Sequence, residues 1–375
     1  MTSGSVENDN FFEIISFSYE AQLPIIEAEI NGQLGRFLFD TGAPNVISQE
    51  FAEKQKLKTL AYGTINDSGG HSLSNQSYVN LDKIVLGNVV FKNTGAVIQD
   101  LGNSEVMKCL NLDGIIGSNL MRKAIWKIDY QNKQITITDE LDNLNITKEY
   151  NTISFKEKTQ GTPLIDLNFD NVEVSNLTFD TGSNGNISLP TKALKVLQKQ
   201  KEVKSTYAIG STSYGVGGKA KTDTLYYGII DHLKIGNATL DDKILEFSTH
   251  DDNIGNNYFE NYDVILDWQN QKIYMLQLIE YKYNTIENFG FGIDWRADGL
   301  YVGSIYNDSN NTNKLKIGDQ ILRINESRFE HLSTNNICEM FKKSGWGYKE
   351  LDETEIVIKR DSEVLEFYLY KKVLL

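Results

Sequence analysis

Short apolar runs alternate with Gly-, Asn- and Asp-rich breaks along almost the whole chain. Ile25–Ile30, Phe37–Phe39, Leu81–Leu86, Ile125–Ile128, Ile135–Thr138, Leu164–Phe169, Leu233–Ile235, Val264–Leu266 and Ile273–Leu276 are rich in Ile, Val, Phe and Tyr. Such residues suit a pleated, half-buried surface, so each run predicts a β-strand. The 29 Gly against 4 Pro favour flexible hairpins over rigid linkers. Helical spacing is best in Phe51–Leu57, Thr191–Gln200 and Asn335–Lys343. The pattern predicts a mainly β fold, and no run approaches the ~20 apolar residues that span a bilayer.

The pattern also repeats. Phe37-Leu38-Phe39-Asp40-Thr41-Gly42 returns 140 residues later as Leu177-Thr178-Phe179-Asp180-Thr181-Gly182, and Ile47-Ser48 returns as Ile187-Ser188. Pro24-Ile25-Ile26 parallels Pro163-Leu164-Ile165, and Leu86-Gly87-Asn88 parallels Ile235-Gly236-Asn237. Ile116-Gly117-Ser118-Asn119 parallels Ile254-Gly255-Asn256-Asn257, and Asp129-Tyr130-Gln131-Asn132 parallels Asp267-Trp268-Gln269-Asn270. Landmarks recurring in one order predict two lobes, 11–148 and 149–282, that differ by loop insertions.

Each lobe then carries one carboxylate in the same frame, at the end of an apolar strand and before a Gly that permits a tight turn. If the two loops meet at a pseudo-twofold axis, Asp40 and Asp180 come within hydrogen-bond reach. Like charges that close share one proton and titrate as a unit. One member can accept a proton from a water between them while the other donates to a carbonyl oxygen. Thr41 and Thr181 are placed to send hydroxyls across the axis and hold the pair rigid.

On these residues the chain resembles aspartic proteases of the pepsin/retropepsin clan in their bilobed, single-chain form. Asp40-Thr41-Gly42-Ala43 and Asp180-Thr181-Gly182-Ser183 match the Asp-Thr-Gly-Ala/Ser signature. Ile115-Ile116-Gly117 matches the element that closes the catalytic loop, and Asn253-Ile254-Gly255 is its weaker copy. The likeness covers about residues 11 to 280. It implies an aspartic endopeptidase with no cofactor and no metal, whose polypeptide substrate lies extended under a β-hairpin flap. The flap falls within Tyr62–Tyr78, with its tip at Asp67-Ser68-Gly69-Gly70-His71, and Tyr62 and Tyr78 are both candidates for the flap tyrosine, unless they pack in a core. A second Gly-rich hairpin, Gly210–Gly218 with Tyr214, is expected over the cleft. Ala43 has no hydroxyl where lobe two has Ser183, so the two acids are expected to differ chemically, and Pro44 stiffens the first loop.

Residues 284–375 lie outside the repeat and resemble a PDZ domain. Gly290-Phe291-Gly292 would be the carboxylate-binding loop, a nest of N–H groups beside an exposed strand edge that takes a C-terminal peptide. Gly318-Asp319-Gln320-Ile321-Leu322 matches that family's turn-and-strand signature. The helix near Asn335–Lys343, capped by Ser333 or Thr334, would wall the groove with Ile337, Met340 and Phe341, although these also suit a plain core. A groove filled by the chain itself, or by the protease lobes, is the alternative. So is a catalytically silent scaffold in which this domain carries the binding.

Charge narrows the choice. The 375 residues carry 37 Lys+Arg and 51 Asp+Glu, a net charge of −14. That excludes partners that demand a basic face, nucleic acid and anionic membrane among them. The four His are scattered, and Cys109 and Cys338 are too far apart in sequence to encode a disulfide framework or a zinc site. Absent disulfides, low Pro and high Asn, Lys and Tyr point to a bacterial source, and the PDZ likeness to an exported protein of the periplasm or envelope whose signal has been removed, Met1–Asn10 being a polar lead. Two complete lobes in one chain predict a monomeric catalytic unit.

Overall fold

The computed structural model describes residues 1–250, 252–307, 311, 313–343 and 351–375. It is mainly β, and among the described residues no helix is long and apolar enough to cross a membrane. The predicted runs all fall in strands, and the three predicted helices occupy Gln49–Lys54, Thr191–Gln198 and Thr334–Lys342. Ser48 Oγ accepts from Phe51 N–H and Ser333 Oγ from Asn336 N–H, so Ser333 rather than Thr334 is the cap of its helix.

The two repeats fold by the same local plan. In the first, the Gln33–Asp40 strand runs parallel to Gly114–Gly117, which also pairs antiparallel with Val46–Ser48. In the second, Val172–Phe179 runs parallel to Asn253–Ile254, which pairs antiparallel with Ile187–Pro190. Each Asp therefore ends a strand wedged beside the strand of the following Gly motif, and the flanking Phe39, Ile116, Phe179 and Ile254 are wholly buried. The repeats also share a floor. Ile125–Asp129 pairs antiparallel with Tyr262–Asp267, so that Ile125 faces Asp267, Asp129 faces Asp263, and Lys127 faces Ile265. One apolar core runs continuously through both halves.

The C-terminal strands Phe291–Arg296, Gly299–Tyr306, Gln320–Ile324, Glu353–Arg360 and Glu363–Tyr370 enclose a core of their own, which includes Phe289, Phe291, Leu300, Val302, Ile321, Ile337 and Ile356. This unit is not a free appendage. Gly299–Tyr306 extends the sheet of the second repeat by pairing with Ser205–Gly210. Its helix Thr334–Lys342 packs on Glu105–Leu110 of the first repeat, a helix too short for its periodicity to be seen in the sequence. Cys109 and Cys338 are joined by a disulfide across that helix pair. The expectation of no disulfide is thus corrected. Separation along the chain, 229 residues, says nothing about separation in space once two helices dock with Cα atoms 4.7 Å apart.

Candidate active site

The two Asp-Thr-Gly loops meet head to head. Thr41 Oγ1 donates to Phe179 O at 2.5 Å and accepts from Thr181 N–H at 3.0 Å. Reciprocally, Thr181 Oγ1 donates to Phe39 O at 2.8 Å and accepts from Thr41 N–H at 3.0 Å. Both hydroxyls are fully buried, so four strong backbone groups that water cannot reach are satisfied by one pair of side chains.

Asp40 Oδ1 accepts from Gly42 N–H at 2.7 Å and Ala43 N–H at 3.0 Å, and Asp180 Oδ1 from Gly182 N–H at 2.9 Å. Each carboxyl lies against the glycine of the opposite loop, and the two acids are close enough for Asp180 to act on Asp40. Burial pushes the Asp40 carboxyl above its ordinary range, while the N–H groups of Gly42 and Ala43 and the contact with Asp180 pull it back. Asp180 is less buried and opens into a groove beside the loops.

The glycines serve space as well as turn geometry. Neither Gly42 nor Gly182 adopts a left-handed backbone. A Cβ on Gly42 would lie 2.6 Å from the Asp180 carboxyl carbon, and one on Gly182 would lie 2.2 Å from that of Asp40. Each glycine is the surface on which the opposite acid rests. The expected tight turn is present after Asp180, where Ser183 N–H bonds Asp180 O at 3.3 Å, and the glycines add room for the opposite acid.

Gly117 and Gly255 obey the same logic. Both are extended, and a Cβ would lie 2.3 Å from Pro44 C in one case and 2.6 Å from Gly185 O in the other. Ser118 N–H bonds Ala43 O at 2.8 Å and Asn256 N–H bonds Ser183 O at 2.8 Å, the same bond in each copy. Ser183 Oγ accepts from Gly185 N–H at 3.2 Å and so braces its own loop.

Several supporting residues escaped sequence reasoning. Fully buried Asn45 accepts from Gly117 N–H at 2.8 Å and donates to Gly95 O at 3.3 Å, while Asn119 Oδ1 accepts Asn45 N–H at 2.7 Å. Asn256, also fully buried, donates to Thr181 O and Gln22 O and accepts from Tyr130 Oη. The only signal was their place beside repeated Gly landmarks.

The Ala61–Asn66 and Ser72–Leu86 strands form the expected first hairpin, with Asp67–His71 at its tip and Gly70 in the left-handed region. The tip reaches the second hairpin: Asp67 Oδ2 accepts from Gly217 N–H at 2.9 Å, and Gly69 O from Lys221 N–H at 3.4 Å. Neither candidate tyrosine lines the groove. Tyr62 is 66% exposed at the hairpin base, and the Tyr78 ring covers Gly63. Tyr214, from the second hairpin, does line it, and its hydroxyl bonds the Asp294 carboxylate and Trp295 O.

In the C-terminal unit, Gly290 N–H is taken by Asn288 Oδ1 at 2.7 Å, Phe291 is a buried core residue, and Thr212 lies against Gly292. This loop therefore faces the second hairpin with one of its N–H groups already committed. The groove between Phe291–Arg296 and Thr334–Lys342 holds Val106 and Cys109 of the first repeat against Trp295, Ile337 and Phe341.

A family model described as Aspartyl protease matches residues 26–120, the stretch that holds Asp40-Thr41-Gly42 and Ile115-Ile116-Gly117. No curated protein matches. Among solved structures, the chain is similar to a retropepsin-like aspartic protease from Rickettsia conorii at 21% identity, over 36% of this chain and 96% of that one, with a TM-score of 0.26. The family match supports an aspartic protease.

Proposed function

We propose that this chain is a single-chain aspartic endopeptidase in which Asp40 and Asp180 form one catalytic pair. The observation that carries the reading is the reciprocal clasp of Thr41 and Thr181, which holds the acid-bearing loops of opposite repeats head to head. The self-matching register of the shared floor supports a pseudo-twofold relation between two lobes, since Lys127 pairs with Ile265, its own counterpart at the 138-residue offset of the nearby Gly and Asp landmarks.

The chemistry follows from one shared proton. The ionised carboxylate removes a proton from a water molecule as its oxygen attacks the scissile carbonyl carbon, and the protonated carboxyl donates to the carbonyl oxygen. Collapse of the tetrahedral diol passes a proton to the amide nitrogen and breaks the carbon–nitrogen bond, and the pair ends as it began. Burial of Asp40 favours its holding the proton in the resting pair, and Asp180, facing the groove, lies nearer to where substrate would enter. The Asp67–His71 tip and the Tyr214–Lys219 hairpin would cover an extended polypeptide. Both acids belong to one chain, which favours a monomeric catalytic unit. The disulfide favours an oxidising compartment, consistent with export. For the PDZ-like unit, the occupied groove favours a structural role over capture of free C-termini.

The test is cleavage of an unfolded protein across acid to neutral pH by the wild type, Asp40→Asn and Asp180→Asn. The wild type should cut and both variants should not. Equal inertness of all three, together with no binding of a statine-type transition-state inhibitor, refutes the reading.

A further inference from the structure

We propose that the C-terminal unit builds one wall of the substrate groove and sets its side-chain preference, receiving a bulky apolar residue of an extended polypeptide against Ile293, Trp295 and Phe341. The inference rests on the protease reading above and assigns a substrate feature to it.

The groove that opens from Asp180 has a volume of about 440 Å³, within the range of pockets that hold a ligand. Its polar side is the Gly182–Gly185 loop, Thr212 and Ser213, suited to a peptide backbone. Its apolar side is composite: Leu23, Val106 and Met107 come from the first repeat, and Ile293, Trp295 and Phe341 from the C-terminal unit. Trp295 and Phe341 meet edge to face, with ring centroids 6.0 Å apart. Both rings stay half-buried rather than sealed in a core, so apolar surface is left facing the groove. Its continuity with the Asp180 carboxyl selects the occupant: a substrate polypeptide held at the acids must lay alternate side chains against the groove walls.

This wall is held in place by three separate ties. The Cys109–Cys338 disulfide fixes the helix that carries Phe341 to the helix that carries Val106 and Met107. Buried Asp294, between Ile293 and Trp295, accepts from Lys219 Nζ at 2.5 Å and Arg296 Nε at 2.8 Å, besides the Tyr214 hydroxyl. The ladder between Ser205–Gly210 and Gly299–Tyr306 completes the attachment. The second hairpin and the wall are therefore bound to each other.

The experiment profiles cleavage of a peptide library by the full-length wild type, Trp295→Ala, Phe341→Ala and the conservative Trp295→Phe, with thermal unfolding run on each to exclude unfolded variants. The expected result is a loss of about tenfold or more in the kcat/KM preference for large apolar over small residues at one subsite, with partial rescue by Trp295→Phe. Affinity for a statine-type inhibitor bearing apolar side chains should fall in parallel in the two alanine variants. A folded, active Trp295→Ala and Phe341→Ala pair with the wild-type profile within twofold overturns this inference and leaves the protease reading standing. A wild type that neither cleaves nor binds the inhibitor overturns both.

Discussion

Replacing Thr41 by Val tests the clasp with little change of shape, since one methyl takes the place of the hydroxyl. The loss is two hydrogen bonds, to Phe179 O and from Thr181 N–H, and the partners left behind are a carbonyl and an amide in a region without water access. An orphaned buried polar group costs about 1–3 kcal/mol, so the two left here should cost the variant about 2–6 kcal/mol, a large part of an ordinary domain's ~5–15 kcal/mol. Thr181→Val removes the other two bonds and should cost a similar amount. Thr41→Ser keeps the hydroxyl and should cost no more than ~1 kcal/mol for the missing methyl. Urea unfolding followed by tryptophan emission reads this directly. At a slope of about 2–3 kcal/mol/M the Val variants should shift the midpoint down by roughly 1 M or more. Proteolysis should fall with them and return in Thr41→Ser, because the carboxyls keep their spacing only while the loops are clasped. A Thr41→Val midpoint within ~0.2 M of wild type at the same slope would show that the clasp is not what holds the loops together.

Asp40→Asn should abolish proteolysis yet raise stability near neutral pH. Burial lifts the Asp40 pKa above its ordinary 3.8, so the stability this acid contributes is complete below that value and is lost as pH rises through the raised one; thermal unfolding should show the variant's advantage opening above about pH 4, and an advantage that grows on acidification refutes the sign. Gly182→Ala and Gly42→Ala should each force the acids apart, since the new Cβ meets the opposite carboxyl at 2.2 or 2.6 Å. Displacements approaching 1 Å cost about 10²-fold in rate, and initial-rate assays that find either variant within threefold of wild type would show that the glycines are not spacers. Cys109→Ser should loosen the C-terminal unit: opening a loop of 229 residues removes up to about 5 kcal/mol of unfolded-state constraint. Limited proteolysis should then cut between the second repeat and residue 287 sooner than in the oxidised wild type, and equal cutting rates argue against the staple.

What could be read from the chain and what could not divide along one physical line. Asp40 and Asp180, their threonines and the Gly117 and Gly255 elements occur twice, and the second occurrence tests the first: a strand, an acid and a glycine in fixed order are improbable as two independent turns. The strand periodicity around them was legible for the same reason, because burial on a sheet imposes alternation locally. The spacing role of Gly42 and Gly182 was not legible, since the atom that excludes a Cβ there belongs to the other repeat, 140 residues away. The Cys109–Cys338 bond, the Glu105–Leu110 helix, buried Asp294 and the position of Trp295 each occur once and depend on how the C-terminal unit docks. Nothing in the local sequence sets that docking; it is decided by the total of helix packing, one sheet extension and one buried carboxylate ringed by Tyr214, Lys219 and Arg296. The tyrosine beside the groove was hidden for a related reason: Tyr62 and Tyr78 lie along the first hairpin, whereas the groove is lined by Tyr214, whose hydroxyl is bonded to Asp294 and Trp295 of the docked unit. Duplication thus exposes the paired acids to sequence reasoning, and the single-copy unit that lines the groove is hidden from it. Substrate preference, if it resides in Trp295 and Phe341, is therefore free to change in ways that the repeated acids are not, because one copy can be altered without a partner that must change in step.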